Sequence, residues 1–147
     1  MTHGSSPTAT ADRRPSPETV VRHYARNGDW APRITELMRA HGLDPHDPDA
    51  MAPLEQLHLG GPDATRALAD WAGIAGARVL DVGCGIGGPA RMLAHGFGCE
   101  VTGIDLTPGY CRDAAALSRQ VGLDGRTHFA CASAHDLPCA DASFPWA

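Results

Sequence analysis

Lysine is absent from this chain of 147 residues, so its twelve basic residues are all arginines. They are outnumbered by 17 acidic residues, which gives a net charge of −5. Because nucleic-acid binding needs a surplus of cations facing phosphates, this balance argues against a nucleic-acid partner. The sequence also lacks an apolar run of membrane-spanning length and a signal-peptide hydrophobic region, which predicts a cytoplasmic protein without a membrane partner.

Aromatic residues are scarce, at 5% of the chain, so we expect a core built from Val, Leu, Ile and Ala. The five cysteines include no C-x-x-C pair, and their spacing suits no zinc site. We therefore predict no metal centre and reduced thiols. Internal repeats are also absent.

Glycine, in contrast, is concentrated in one segment, residues 79–91, with the sequence VLDVGCGIGGPAR. An apolar stretch and an acid lead into a glycine-rich turn and then into a helical sequence. Glycines let the backbone turn sharply and let a ligand approach where a Cβ would collide. Backbone N–H groups at the start of the following helix lack helical partners and can face that ligand. The segment predicts a site for a nucleotide-like cofactor.

Two cofactors compete for this turn. Gly83, Gly85 and Gly88 satisfy the G-x-G-x-x-G spacing of dinucleotide-binding folds. Asp81, however, lies two residues before the first glycine, where its carboxylate would repel a pyrophosphate. The same carboxylate suits S-adenosylmethionine (SAM), which carries an ammonium and a sulfonium. Asp81 therefore favours SAM, and a half-domain of a nicotinamide-dependent oxidoreductase is the alternative.

A second strand is predicted to end in an acid, at Asp105 in the segment Glu100–Thr107. Asp105 follows Gly83 by about the spacing at which an acid meets ribose hydroxyls in such folds. One carboxylate supplies the two acceptors that two hydroxyls need. We expect Asp105 to bind the cofactor ribose.

The remaining pattern alternates strands and helices, which predicts a parallel sheet. Proline and aspartate are frequent in the segment Asp44–Pro53, which reads as a loop. In the helix expected from Ala64 to Ala72, Leu68 and Trp71 are expected to face inward. The other predicted elements are a short helix beginning at Ser16-Pro17, a helix over Pro32–His41, strand one over Arg78–Val82, a helix from Pro89 to Gly96, a helix from Thr107-Pro108 to about Gly122, and strand three over Thr127–Cys131.

Four ordered motifs between about Leu57 and Phe144 resemble the class I SAM-dependent methyltransferases. The resemblance is strongest to the small-molecule branch that includes sarcosine/dimethylglycine, phosphoethanolamine and tocopherol-type methyltransferases. The motifs are Asp81-Val82-Gly83-Cys84-Gly85-Ile86-Gly87, Val101-Thr102-Gly103-Ile104-Asp105-Leu106, Leu137-Pro138-Cys139 with Asp141 and Ser143-Phe144, and His58-Leu59-Gly60-Gly61 followed by Ala64-Thr65.

The resemblance implies a Rossmann-like α/β fold and a set of SAM-binding residues. Three positions depart from the family pattern: Ser133 replaces the acid that holds the adenine amino group, Cys139 replaces a phenylalanine, and Pro145 replaces an aspartate. Ser133 can still accept a hydrogen bond. The cofactor-binding residues that the resemblance implies are His58, Asp81, Gly83, Cys84, Gly85, Gly87, Asp105, Leu106, Ser133 and Ala134.

We expect three regions: a disordered lead over residues 1–16, a helical extension over 17–62, and a partial SAM-binding domain over 63–147. The chain is expected to hold strands one to three and to end near the start of strand four, so that it is inactive by itself. Its expected function is methyl transfer from SAM to a small-molecule acceptor, with an amine implied by the resemblance. The alternatives are a non-catalytic remnant and the oxidoreductase half-domain. No catalytic base and no oligomeric state are predicted.

Overall fold

The fold consists of a parallel sheet with flanking helices, seen in a computed structural model that describes residues 16–25 and 29–147. The predicted lead therefore lies outside the described residues, except for Ser16. The elements are α1 (Pro17–Ala25), α2 (Trp30–Ala40), α3 (Pro48–Glu55), α4 (Gly61–Ala72), β1 (Arg78–Val82), α5 (Gly88–Phe97), β2 (Glu100–Asp105), α6 (Pro108–Gln120) and β3 (Thr127–Cys131).

The sheet has the order β1-β2-β3, and both pairs are parallel. Val79 pairs with Val101, which pairs with Thr127, so apolar positions of β1 and β2 share one layer. On the other edge of β1, the Leu80 N–H donates to the Trp146 carbonyl at 2.9 Å, and Val79 forms a parallel bridge with Trp146. The chain therefore returns to the edge of β1 that faces away from β2. The predicted Rossmann-like architecture is confirmed for this part of the fold.

Two clusters of buried side chains hold the layers together. One joins Ile34 and Met38 of α2 to Ile86 and to Leu117 of α6. The other joins α4 and α5 to Val79 and Val101 of the sheet. Both clusters contain the expected Val, Leu, Ile and Ala, but the first also buries Met38, Met51 and Tyr110. The predicted boundary between the helical extension and the SAM-binding domain, at residues 62 and 63, stays a prediction. The first cluster contains side chains from both sides of this boundary.

The prediction of a loop over Asp44–Pro53 was wrong, because α3 begins inside that segment. The Asp47 side chain accepts a hydrogen bond from the Asp49 N–H at 2.9 Å, which caps the helix, and Pro48 occupies the first helical position. A proline there loses no helical hydrogen bond. The same residues that suggest a loop thus start a helix.

The orientation predicted for α4 was also wrong. Leu68 and Trp71 are exposed, while Thr65 and Ala69 of the same helix are buried. Small side chains at Thr65 and Ala69 let the helix approach its neighbours closely, which turns the larger apolar residues outward. No helix in residues 16–25 and 29–147 combines the length and hydropathy needed to cross a bilayer.

Candidate functional site

A cavity of about 410 Å³ opens where β1 and β2 end and the glycine turn begins. We call it the glycine-loop cavity. Five of the ten residues implied by the resemblance line it: Gly83, Gly85, Asp105, Leu106 and Ala134. Its other lining residues are Leu57, Val82, Ile104, Thr107, Tyr110 and Ala132.

The glycines of the turn have two different roles. Gly83 and Gly85 have positive φ values of 82° and 54°, and a Cβ built on either meets no atom within 4 Å. They leave open space at the cavity wall. Gly87 is buried, and a Cβ there would lie 2.8 Å from the Phe129 ring. Gly83 and Gly85 thus give a ligand room to approach the backbone, whereas Gly87 lets the turn pack against β3.

The backbone N–H groups of the turn point into the protein. Those of Gly83 and Cys84 both donate to the Ile104 carbonyl, at 2.8 and 3.0 Å. The Gly85 N–H donates to Asp105 Oδ2 at 3.0 Å, and the Gly87 N–H donates to the Cys84 carbonyl at 2.9 Å. Phosphate-binding turns aim such donors at the ligand. These four N–H groups already have protein acceptors, so the turn is poorly equipped to hold a pyrophosphate.

Asp105 is held at both carboxylate oxygens. Its Oδ2 accepts from Gly85, and its Oδ1 accepts from the Thr107 N–H at 2.8 Å. A carboxylate has about four lone-pair sites, so each oxygen can accept another hydrogen bond from a hydroxyl. The two backbone donors therefore orient the carboxylate without exhausting it.

Asp81 lies on the neighbouring strand, near the end of β1. Unlike Asp105, it is not held at both carboxylate oxygens. Its Oδ2 is buried and has no hydrogen-bond partner among the described residues. Burial, and then the nearby Asp105 charge, raise the pKa of Asp81 to about 6, while His58 acts in the lowering direction. An ionised carboxylate that is buried and unpaired is costly unless a cation or a donor reaches it.

Asp81 does not line the glycine-loop cavity but a neighbouring one of about 640 Å³, which we call the apolar cavity. His58 and Val82 line it too, and Val82 belongs to both cavities. Its wall includes the exposed side chains of Leu68 and Trp71. The structure therefore places Asp81 and His58 at the wall of one cavity, next to the glycine-loop cavity.

Three of the residues implied by the resemblance stand back from both cavities. Gly87 is the first of them. Cys84 is the second: its side chain is buried, and burial together with the Asp81 charge raises the pKa of the Cys84 thiol. Ser133 Oγ accepts from the His135 N–H at 3.1 Å, which shapes the turn that carries Ala134. A cofactor role for Cys84, Gly87 and Ser133 stays a prediction, and their visible contacts shape the backbone around the site.

The sequence did not single out several residues of the glycine-loop cavity. Tyr110 is buried in the first turn of α6, and Thr107 precedes that helix. Their positions just after the strand acid Asp105 were the available signal. Leu57 comes from a distant segment and directly precedes His58, so the resemblance pointed to its neighbourhood.

No group of three or more His, Cys, Asp or Glu side chains is placed to hold a metal ion in the part of the chain that the structure describes. Its five cysteines are free.

Comparison with known proteins adds independent evidence. A family model for a methyltransferase domain matches residues 79–147. The methyltransferase GfsG of Streptomyces halstedii is 37% identical over 135 residues, which cover 86% of this chain and 47% of GfsG. The 24-methylenesterol C-methyltransferase 2 of Oryza sativa subsp. japonica is 44% identical over 69 residues, which cover 47% of this chain and 19% of that protein. The chain spans less than half of the length of both relatives.

Among solved structures, the [4+2]-cyclase SpnF is similar with a TM-score of 0.62 and 26% identity, covering 88% of this chain and 47% of SpnF. The similarity to GfsG and to SpnF extends over both the N-terminal helices and the sheet. Together with the matched methyltransferase domain and the observed fold, it makes the chain similar to class I SAM-dependent methyltransferases in both sequence and structure.

Proposed function

We propose that this chain binds SAM at the glycine-loop cavity and that the protein transfers a methyl group from SAM to a small-molecule acceptor. The observation that carries this proposal is the pair of strand-end carboxylates, Asp81 and Asp105, beside a turn whose N–H groups point inward. Such a site attracts a cation and hydroxyl donors rather than a phosphate.

The residues present fit SAM. Asp105 offers oriented acceptors for the ribose hydroxyls, and the Asp81 carboxylate, at the wall of the neighbouring apolar cavity, offers a negative charge for the ammonium. Gly83 and Gly85 leave space for close approach. Leu106 and Ala134 supply apolar contacts for the adenine, with Ser133 and His58 nearby in the proposed site.

SAM supplies a methyl group that its sulfonium has already activated. The chain's own part is then to bind and orient the cofactor and to exclude water from it. Orientation of two reactants contributes several kcal/mol to catalysis. Leu57 and Tyr110, which line the glycine-loop cavity, support the exclusion of water. The described residues assign no general base.

The acceptor is proposed only as a small molecule. An amine is the expectation from the family resemblance. The sterol methyltransferase among the relatives, by its name, methylates carbon. SpnF is a cyclase, and one fold can host different reactions. A cytoplasmic location, inactivity of the chain by itself, and the alternative of a non-catalytic remnant likewise stay predictions.

Binding tests the cofactor first. Isothermal titration calorimetry of this chain should show heat of binding for SAM and none for NADH. Gly85→Val should abolish SAM binding, because a side chain would fill the open space and strain a positive φ. Its circular dichroism should keep most of the helical signal. Binding of NADH but not of SAM would overturn the proposal in favour of the oxidoreductase alternative.

Labelled SAM then tests methyl transfer, with glycine, sarcosine, dimethylglycine and phosphoethanolamine as acceptors. Labelled product would confirm an amine acceptor. Transfer by this chain would also contradict the prediction that it is inactive by itself. SAM binding without transfer to any of the four would agree with that prediction and leave the cofactor proposal standing.

A further inference from the structure

Gly88 follows the glycine turn and begins α5, and it lines neither of the two cavities described above. It is buried, and a Cβ built on it would lie 2.6 Å from the main-chain oxygen of Glu55 and 2.9 Å from the carbonyl carbon of the same residue. Real Cβ atoms do not approach backbone atoms this closely, so only glycine leaves room for Glu55 here. The third glycine of the G-x-G-x-x-G spacing therefore admits a neighbouring stretch of main chain.

The backbone of Gly88 does not itself require glycine. Its φ lies outside the left-handed region, unlike the φ of Gly83, Gly85 and Gly87. An alanine at this position would meet no backbone strain, and it would favour the helix that begins there. The close approach of Glu55 is therefore what excludes a side chain.

Glu55 is held on α5 at a second point. Its two carboxylate oxygens accept from Arg91 Nε at 3.2 and 3.0 Å. Arg91 follows Gly88 by three residues, so both lie on the same face of the helix. Glu55 and Arg91 are buried, with exposed fractions of 2% and 1%. The last residue of α3 thus rests with its main chain on Gly88 and with its side chain on Arg91, and we call this contact the Glu55 seat.

Leu57 follows the Glu55 seat by two residues and lines the glycine-loop cavity. Consecutive Cα atoms are about 3.8 Å apart, so the Leu57 Cα lies within about 7.6 Å of the Glu55 Cα. A displacement of Glu55 is therefore transmitted to Leu57. We propose that Gly88 is a positioning residue, which leaves room for Glu55 and so places Leu57 at the cavity wall. That SAM is the ligand of this cavity rests on the proposed function, but the placement of Leu57 does not.

Gly88→Ala tests the Glu55 seat without a ligand. Its Cβ should push the end of α3 away from α5 and shift the Leu57 methyl signals in ¹H–¹³C NMR, with Leu57→Ala to assign them. Gly96→Ala is the matched control, because Gly96 lies in the same helix, has no positive φ and has open space around its Cβ. It should leave the Leu57 signals in place. Leu57 signals that are the same in folded Gly88→Ala and in the parent chain would overturn the proposal.

SAM binding provides the second readout. Leu57→Ala should weaken SAM affinity about fivefold, because it removes apolar contact at the cavity wall. Leu59→Ala is its control and should leave the affinity unchanged, since Leu59 is 98% exposed and lines neither cavity. Leu57 is itself exposed, so Leu57→Ala should fold even where Gly88→Ala does not. Unchanged SAM affinity in Leu57→Ala would also overturn the proposal.

The two substitutions combined separate positioning from a general loss of structure. Gly88→Ala by itself should weaken SAM affinity about fivefold, but in the Leu57→Ala background it should weaken the affinity by less than about twofold. A merely structural role would weaken binding by the same factor in both backgrounds, and that result would overturn the proposal. If Gly88→Ala shifts the Leu57 signals but the parent chain binds no SAM, the proposed function fails while the role of Gly88 in placing Leu57 stands.

Discussion

Arg91 and Glu55 form a buried ion pair beneath the glycine turn, with Arg91 Nη2 2.5 Å from Glu55 Oε2. Nη2 also donates to the Ile86 carbonyl at 2.6 Å, and Nη1 donates to the Ala114 carbonyl at 3.0 Å. A single guanidinium therefore connects α3, the turn, α5 and α6. Glu55 comes just before the segment that carries Leu57 and His58, so the pair also anchors that segment.

Replacement of Arg91 tests this connection. Arg91→Met leaves the Glu55 carboxylate buried without its cation, so it should lower the free energy of unfolding by about 3–5 kcal/mol. Urea denaturation measures the change. Arg119→Met, at an exposed position on α6, is the control and should stay within about 0.5 kcal/mol of the parent chain. Similar losses in both variants would contradict a special role for Arg91.

The packing role of Gly87 predicts a larger loss than its positive φ alone would give. Gly87→Ala adds a Cβ 2.8 Å from the Phe129 ring, so both backbone strain and overpacking should lower the unfolding free energy, by about 2–4 kcal/mol. Gly76→Ala is the matched control, because Gly76 has a φ of 72° and open space around its Cβ. It should cost only about 1–2 kcal/mol. Equal losses would show that the contact with Phe129 does not matter.

Asp105 should control SAM affinity. Asp105→Ala removes the acceptors proposed for the ribose hydroxyls, so calorimetry should show weaker binding by about 1–3 kcal/mol. It also removes the partners of the Gly85 and Thr107 N–H groups. Asp105→Asn keeps one oxygen and should lose less. SAM affinity that is unchanged in Asp105→Ala would refute the ribose assignment.

Asp81 should lower the stability of the fold at neutral pH. Its pKa rises from the model-compound value of 3.8 to about 6 in the folded protein, because burial favours the protonated form. A raised pKa contributes stability that is complete below pH 3.8 and is lost as the pH rises through 6. The full loss corresponds to about 3 kcal/mol, at 1.36 kcal/mol per pKa unit.

Asp81→Asn removes this titration. Its advantage in unfolding free energy over the parent chain should reach about 3 kcal/mol at pH 7.5 and about half of that at pH 5. Urea denaturation at the two pH values measures it. Asp124→Asn, at an exposed position, should show no such difference between the two pH values. If the advantage of Asp81→Asn is the same at both, burial of the charge is not its cause.

The strands were the most predictable part of the fold. β1 and β3 have the predicted bounds, because apolar residues at these positions lie between glycine-containing or polar turns. The position of Asp105 followed from the same pattern. The outward turn of Trp71 could not be predicted, because it depends on how closely α4 approaches its neighbours. The helix at Pro48 was missed, although Asp47 and Pro48 form a helix-start signal, because the same residues are also frequent in loops.

The functional site also has one part that the strand pattern predicts and one part that it does not. Gly83, Gly85 and Asp105 meet because parallel strands end at a common edge, which the strand pattern already implies. The position of His58 depends on Gln56 and Thr65, whose side chains lie within hydrogen-bond distance of its ring. Local sequence patterns do not encode such contacts, so the resemblance alone pointed to His58.

The two backbone donors at Asp105 also affect the entropy of binding. A free aspartate must give up rotamer freedom when it engages a ligand, and that loss opposes association. In this fold the Gly85 and Thr107 N–H groups have already fixed the carboxylate. The ordering cost of this side chain therefore falls on folding, and a ligand that reaches Asp105 meets acceptors whose orientation is set in advance.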